Sequence, residues 1–220
     1  MLHPLRISLL STAMLLLGSV AVAQIPVELF GGNQKATLDI MFFKFLKNKA
    51  GNNTPFLFFN RNRASVDYRM TSTSNLPQFG FTEAISYNNE MLKGFAPVMV
   101  AQVLGSGVYS KAGVQFARIR PNLLLFCWVV CKTKKASSTD FFFLGRYTPK
   151  ISSSLNLFSQ IELVNSAPWA SEKMLSFTQR ARLGLKWNAF QFGAAADFSE
   201  IGRNTFATSR NWGAFLRYEF

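Results

Sequence analysis

Basic side chains recur at alternating positions in this sequence: Arg61, Arg63 and Arg69 in one stretch, Arg180, Arg182 and Lys186 in another, and Arg146 and Arg217 singly. In an extended chain, residues two or four apart project from the same face. Arg61, Arg63, Ser65, Asp67 and Arg69 therefore share one face, as do Thr178, Arg180, Arg182, Gly184 and Lys186. Positive charge gathered on the inside of a pore selects anions and repels cations. The same charge, faced by Asp67, Glu162, Asp197 and Glu219, instead forms a salt-bridge network that fills a small closed barrel. Pairing across the interior marks the filled barrel, and an unpaired basic stripe marks the passage.

Other chemistry is poorly supplied. The chain has one histidine, His3, so once a leader is removed, Ser-His and Asp-His catalysis lack their base. The 11 acidic residues show no metal-ligand spacing, and neither an enzyme activity nor a cofactor or metal is expected. Cys127 and Cys131 are four apart in an apolar run, on one face of a strand but about 13 Å apart at the usual rise, too far to bridge each other. They read as structural cysteines.

The elements that must position the charges are strands. From Trp212 onward, Trp212, Ala214, Leu216, Tyr218 and Phe220 alternate with Asn211, Gly213, Phe215, Arg217 and Glu219, an apolar face against a mostly polar one with Phe215 as its exception. Phe190, Phe192, Ala194, Ala196 and Phe198 alternate in the same way with Gln191, Gly193, Ala195, Asp197 and Ser199. Phe177, Ala181, Leu183, Leu185 and Trp187 oppose the basic face of the segment before. Twelve segments follow: 25–30, 34–46, 55–69, 79–89, 95–104, 108–119, 122–132, 140–148, 153–165, 175–187, 190–199 and 209–220. Ten is the alternative count.

Most of these segments run longer than soluble strands usually do, and they suit a tilted membrane span. Tyr68, Tyr87, Tyr147, Trp187, Trp212, Tyr218 and Phe220 fall near strand ends, where interfacial girdles sit. Lys132, Lys134, Lys135 and Arg203 are expected outside the barrel, against lipid phosphates. Segments 79–104 and 122–131 break the pattern: Glu83 shares parity with Phe79, Phe81 and Ile85, and apolar residues occupy both faces around Phe126 and Trp128. Such a break means a partly apolar interior, a bulge or a subunit contact. Gly105-Ser106-Gly107 reads as a turn or a bulge.

The N-terminus has Arg6, an apolar stretch through Leu17, and small residues ending Ala21-Val22-Ala23, the layout of a secretory signal peptide over 1–23 ahead of a barrel over 24–220. The formal charge of +13 would suit nucleic acid, but export and alternation argue against it, and no nucleic-acid motif is present.

The last strand resembles the closing strand of bacterial outer-membrane β-barrels, which ends on a terminal aromatic preceded by apolar residues at every second position, here Ala214, Leu216, Tyr218 and Phe220. That resemblance implies recognition by the outer-membrane assembly machinery. Residues 27–68 resemble the opening of nucleoside-specific channel-forming porins, through Thr37 to Lys44, Pro55 to Phe59 and Asp67-Tyr68. It implies a twelve-stranded barrel and transfers no ligand-binding residue. The expectation is thus an all-β, closed antiparallel transmembrane barrel in outer-membrane lipid. Its expected role is a narrow channel for small polar or anionic solutes lined by Arg61, Arg63, Arg69, Arg146, Arg180, Arg182, Lys186 and Arg217. A closed structural or partner-binding barrel is the alternative.

Overall fold

The computed structural model describes residues 25–68, 78–133, 138–169 and 174–220. Within them the alternating segments form twelve strands: β1 (Pro26–Gly32), β2 (Lys35–Lys47), β3 (Asn53–Asp67), β4 (Gln78–Tyr87), β5 (Phe95–Leu104), β6 (Gly107–Arg120), β7 (Leu123–Lys132), β8 (Ser138–Tyr147), β9 (Leu155–Pro168), β10 (Leu175–Trp187), β11 (Phe190–Gly202) and β12 (Phe206–Glu219). Each pairs antiparallel with its neighbours in sequence, and β1 pairs with β12 to close the barrel. Closure satisfies every sheet edge, the condition for a sheet to sit in hydrocarbon.

The short first strand is essential to this closure. β1 has partners on both sides, Leu29 facing Leu216 on β12 and Leu38 on β2. Phe220 extends the seam, its backbone exchanging hydrogen bonds with Ile25 at 3.3 Å in each direction. Both chain ends of the barrel therefore lie at one rim, the terminal rim, and the connections after β1, β3, β5, β7, β9 and β11 lie at the opposite one, the loop rim.

Side chains alternate across the wall as the sequence pattern requires. Leu29, Leu183, Ile161, Leu216, Phe192 and Met99 are exposed on the outer surface, while Glu28, Arg182, Glu162, Arg217, Gln191 and Val98 are buried inside. An outer belt this apolar suits hydrocarbon rather than water. Rings near the terminal rim pack edge to face, Tyr218 against Phe190 at 4.8 Å and against Phe220 at 4.7 Å. Glycines mark where neighbouring strands leave no room for a side chain. Gly184 on β10 faces Gly193 on β11, and a Cβ at Gly184 would lie 2.0 Å from the Phe192 carbonyl oxygen.

Several expectations are corrected at strand ends. β11 continues to Gly202 and β12 starts at Phe206, so the long connection expected over 200–208 is a three-residue turn. Gly105-Ser106 is the tight turn between β5 and β6 rather than a bulge. Lys132 has the inward parity of Phe126, Trp128 and Val130, and its Nζ lies 4.3 Å from the Tyr109 ring centroid inside the loop rim, not against lipid. Arg203 is in the turn after β11. The signal-peptide segment, Arg69, Lys134 and Lys135 lie outside the described residues.

Candidate functional site

The inward face of β3 is the starting point. Its alternation sends Leu57, Phe59, Arg61 and Arg63 into the lumen, apolar toward the terminal rim and cationic toward the loop rim. From β2 alongside comes Asp39, opposite Arg63 in register, and from β1 comes Glu28, opposite Asp39. Across the lumen, β9 supplies Glu162, β10 supplies Arg180 and Arg182, and β11 supplies Asp197.

These side chains close a ring of alternating charge. Asp39 accepts from Arg61, whose Nη1 donates to Glu162 Oε1 at 2.6 Å. Glu162 also accepts from Arg180, and Arg180 Nε lies 3.5 Å from Asp197 Oδ2. Arg63 completes the circuit, its Nη2 donating to Asp197 Oδ2 at 2.7 Å and its Nη1 to Asp39 Oδ2 at 3.3 Å. The links from Arg61 to Glu162 and from Arg63 to Asp197 join opposite walls of the barrel.

A branch runs from the ring toward the terminal rim. Arg182 donates to Asp197 Oδ1 at 2.7 Å and to Glu28 Oε1 at 2.9 Å, and Arg217 Nε donates to Glu28 Oε2 at 3.0 Å. Arg217 and Arg146 share Gln160 Oε1, at 3.1 and 2.9 Å. Phe158 underlies both guanidinium groups, with Arg217 4.9 Å and Arg146 5.7 Å from its ring centroid. Phe215, the exception on the polar face of the last strand, packs against Phe158 at 5.5 Å and accounts for its own inward position. Lys186 is bonded to Glu219, and Lys111 to Asp140 and Gln102.

Of the expected basic residues, the structure brings Arg61, Arg63, Arg180, Arg182 and Arg217 into one network, places Lys186 in a separate pair, and leaves Arg146 without a carboxylate partner among the described residues. Of the four expected acids, Glu162, Asp197 and Glu219 pair with these bases, and Asp67 lies at the loop-rim end of β3, opposite Lys35 in register. Glu28, Asp39 and the Lys111–Asp140 pair were missed as partners. Their signal was present: Glu28 lies between Val27 and Leu29, and Asp39 between Leu38 and Ile40, the same polar-inward parity as the arginines.

The rest of the cross-section is aromatic. Phe126 is fully buried, stacked on Phe59 at 5.4 Å and tilted against Phe43 at 4.8 Å, with Trp128 5.2 Å from Phe59 and 5.1 Å from Phe142. The apolar residues on both faces of β7 are thus explained by a greasy interior sector, with Leu125 and Val129 outside and Phe126 and Trp128 inside. Ion ring and aromatic layer together form a septum. On the loop-rim side lies a cavity of ≈ 440 Å³ lined by Arg63, Gln102, Tyr109, Lys111, Lys132 and Trp128. On the terminal side a second cavity, ≈ 240 Å³, is lined by Met41, Phe43, Arg146, Phe158, Lys186 and Gln191.

No family model matches the chain, and no curated protein matches it. Among solved structures, the barrel is similar to a KdgM porin in complex with disordered oligogalacturonate, at 11% identity and a TM-score of 0.51, covering 90% of this chain and 99% of that one. A second KdgM porin structure gives 11% identity and a TM-score of 0.50 over the same shares. The β domain of the Bordetella autotransporter BrkA is a more distant match, with 9% identity and a TM-score of 0.38, again over 90% and 99% of the two chains. At these identities the likeness to the KdgM structures is one of fold: this chain is a closed twelve-stranded antiparallel transmembrane β-barrel.

Proposed function

We propose that this chain is a porin-type barrel of the outer membrane, a narrow passage for small polar or anionic solutes that is held shut at rest. The ring of Arg61, Arg63 and Arg180 with Asp39, Glu162 and Asp197 carries the reading, because its bonds span the lumen and Glu162 within it is only 1% exposed. The loop rim faces outward and its vestibule receives the solute. Lys111 and Asp140 line that vestibule as a pair, Arg63 and Arg180 are held by the ring, and Lys132 gives it its basic bias, while Trp128 and Tyr109 give it rings on which a sugar or planar solute can lie. KdgM, similar in fold, holds an oligogalacturonate, an acidic saccharide; the basic vestibule supports an anionic solute here without specifying it. The nucleoside-channel likeness of residues 27–68 adds no ligand residue to the proposal.

The closed structural barrel is the second reading: the pairing of Arg61 with Glu162 and of Arg63 with Asp197 across the lumen is the mark expected of it, and the aromatic layer favours it as well, since Phe59, Phe126, Trp128 and Phe142 fill the part of the lumen that the ions leave. Planar-bilayer recording separates the two. A gated passage gives a nearly silent wild-type protein and reproducible anion-preferring steps once the ring is cut by Glu162→Gln with Asp197→Asn, which removes both links across the lumen and leaves three cations against Asp39. Silence from both, with insertion and folding confirmed, supports the structural barrel. Steady ohmic conductance from wild type overturns the shut resting state.

A further inference from the structure

The outer belt carries one anomaly. Glu83 sits at the middle of β4 with its side chain exposed on the outer wall, among Phe79, Phe81, Ile85 and Tyr87 on the same strand and Met99 and Val103 on β5. Beside it on β3, Asn60 and Asn62 have the same outward parity, opposite Glu83 and Phe81 in register, Asn60 buried beneath its neighbours and Asn62 half-buried. Elsewhere the outward charges of β2, β6, β11 and β12, at Lys44, Arg118, Glu200 and Arg210, lie toward strand ends, where headgroups are within reach.

The depth of this polar patch follows from register. The row Leu29, Leu38, Ala64, Phe79 starts in the middle of β1 and arrives at the loop-rim end of β4, so a row perpendicular to the strands climbs toward that rim as it crosses them. With strands tilted by about 40°, Glu83 falls back to the depth of Leu29, the centre of the belt. The same geometry sets Asn60 roughly 3 Å nearer the terminal rim and Asn62 within about 2 Å of Glu83 in depth.

A carboxylate in hydrocarbon needs donors, and its own chain supplies little. Asn60 Nδ2 reaches Glu83 Oε1 at 3.4 Å, a long bond, and the carboxylate has room for about four. The side-chain oxygens of Asn60 and Asn62 are buried without a partner among the described residues. Intramembrane ionisable groups are costly and mark contacts or pathways. Here the group is on the outside of the wall, so a contact is what it marks.

We propose that this face binds a second copy of the chain, about a two-fold axis along the membrane normal, with β3 to β5 of each copy facing the other. Such an axis preserves depth, so groups at equal depth meet reciprocally. Glu83 and Asn62 satisfy that condition: Glu83 of each copy accepts from the Asn62 amide of the other, and Asn60 lies close to the axis. Phe58, Phe81 and Met99 surround the pair and exclude lipid from it. The unlike, depth-matched pair favours a second copy over a foreign helix.

The test uses the full barrel refolded into lipid nanodiscs large enough for two copies, with oligomeric state read by mass photometry and folding by heat-modifiable gel mobility. Wild type is expected as a dimer at micromolar concentration. Glu83→Leu, which suits lipid better as a monomer, is expected to stay folded and to raise the dissociation constant at least tenfold, and Asn62→Leu to do the same. In a Cys127→Ser, Cys131→Ser background, Phe81→Cys, exposed and as near the axis as Asn60, is expected to give a disulfide-linked dimer, whereas Ala196→Cys on the opposite wall is not. A monomeric wild type, a Glu83→Leu dimer as tight as wild type, or equal cross-linking from Ala196→Cys would each overturn the proposal. A monomeric purified chain that cross-links through Phe81→Cys to a different protein in its native membrane would overturn the proposal and assign the face to that protein instead.

Discussion

Glu162→Gln tests whether the ring is a structural lock. Among the described residues Glu162 is the only carboxylate bonded to both Arg61 and Arg180, reaching from β9 to Arg180 on the neighbouring β10 and across the lumen to Arg61 on β3. Removing one partner of a buried ion pair typically costs about 3–5 kcal/mol, because the remaining charge stays buried. Here Arg61 keeps Asp39, and Arg180 keeps Asp197 at 3.5 Å, which puts the expected loss near the lower end, about 3 kcal/mol. With a urea slope of about 2 kcal/mol per molar, the unfolding midpoint in lipid falls by about 1.5 M. Trp128, buried in the septum, reports the transition by fluorescence. Adding Arg180→Leu should recover part of the loss, since it removes the cation left over, with a coupling of about 0.5–3 kcal/mol in the double-mutant cycle. A Glu162→Gln midpoint within about 0.5 kcal/mol of wild type, or strictly additive losses, would show that the ring does not hold the walls together.

Phe126→Ala removes the fully buried centre of the aromatic layer and is expected to cost about 3–5 kcal/mol by urea unfolding, with current steps appearing where wild type shows none. Arg146→Gln should behave oppositely to Glu162→Gln: it deletes a half-buried cation that among the described residues bonds to Gln160 and is laid over Phe158, and stability is expected to hold within about 1 kcal/mol or to rise. Phe220→Ser separates the assembly signal from the seam. The amount of folded barrel in the outer membrane of an expressing cell should fall severalfold, while refolding in detergent changes little, and equal losses in both would place its role in the β1–β12 seam.

Alternation carried most of the fold because a barrel wall asks one question of each residue, inside or outside, and period two answers it. It failed where strands emerge from the belt. Ser199-Glu200-Ile201 and Phe206-Ala207-Thr208 face water on both sides, so their pairing, Ile201 with Ala207 and Gly202 with Phe206, left no pattern. The inward set of arginines was legible for the same reason as the strands. Their partners were legible only as a set of acids of the right parity, because Arg61 meeting Glu162 depends on how far the register climbs from β3 around to β9, and no local spacing encodes that sum. Lys132 was misplaced because position in a basic run was weighed over parity, which had already put Trp128 and Val130 on the inner side.

The two stretches where alternation reads poorly acquire a common explanation from the section of the barrel. Ion pairs dominate the sector walled by β9 to β12 and β1 to β3, and apolar side chains dominate the sector of β4 to β8, where Ala84, Val98, Val100, Phe126 and Trp128 face inward beside the Lys111–Asp140 pair. The outside is inverted to match: the mid-belt polar groups, Asn60, Asn62 and Glu83, lie on the edge of the apolar sector. A pair of copies joined there would bring the apolar sectors together and leave each ion ring on the far side of its own barrel. Septum and contact face should then be energetically separate, since substitutions more than about 7–10 Å apart without shared partners add within about 0.5 kcal/mol. Glu83→Leu combined with Glu162→Gln is expected to show the full dimer weakening of the first and the full stability loss of the second. A dimer dissociation constant that changes when Glu162 alone is replaced would mean that the wall transmits the state of the ring to the contact face, and opening of the lumen would then be coupled to association.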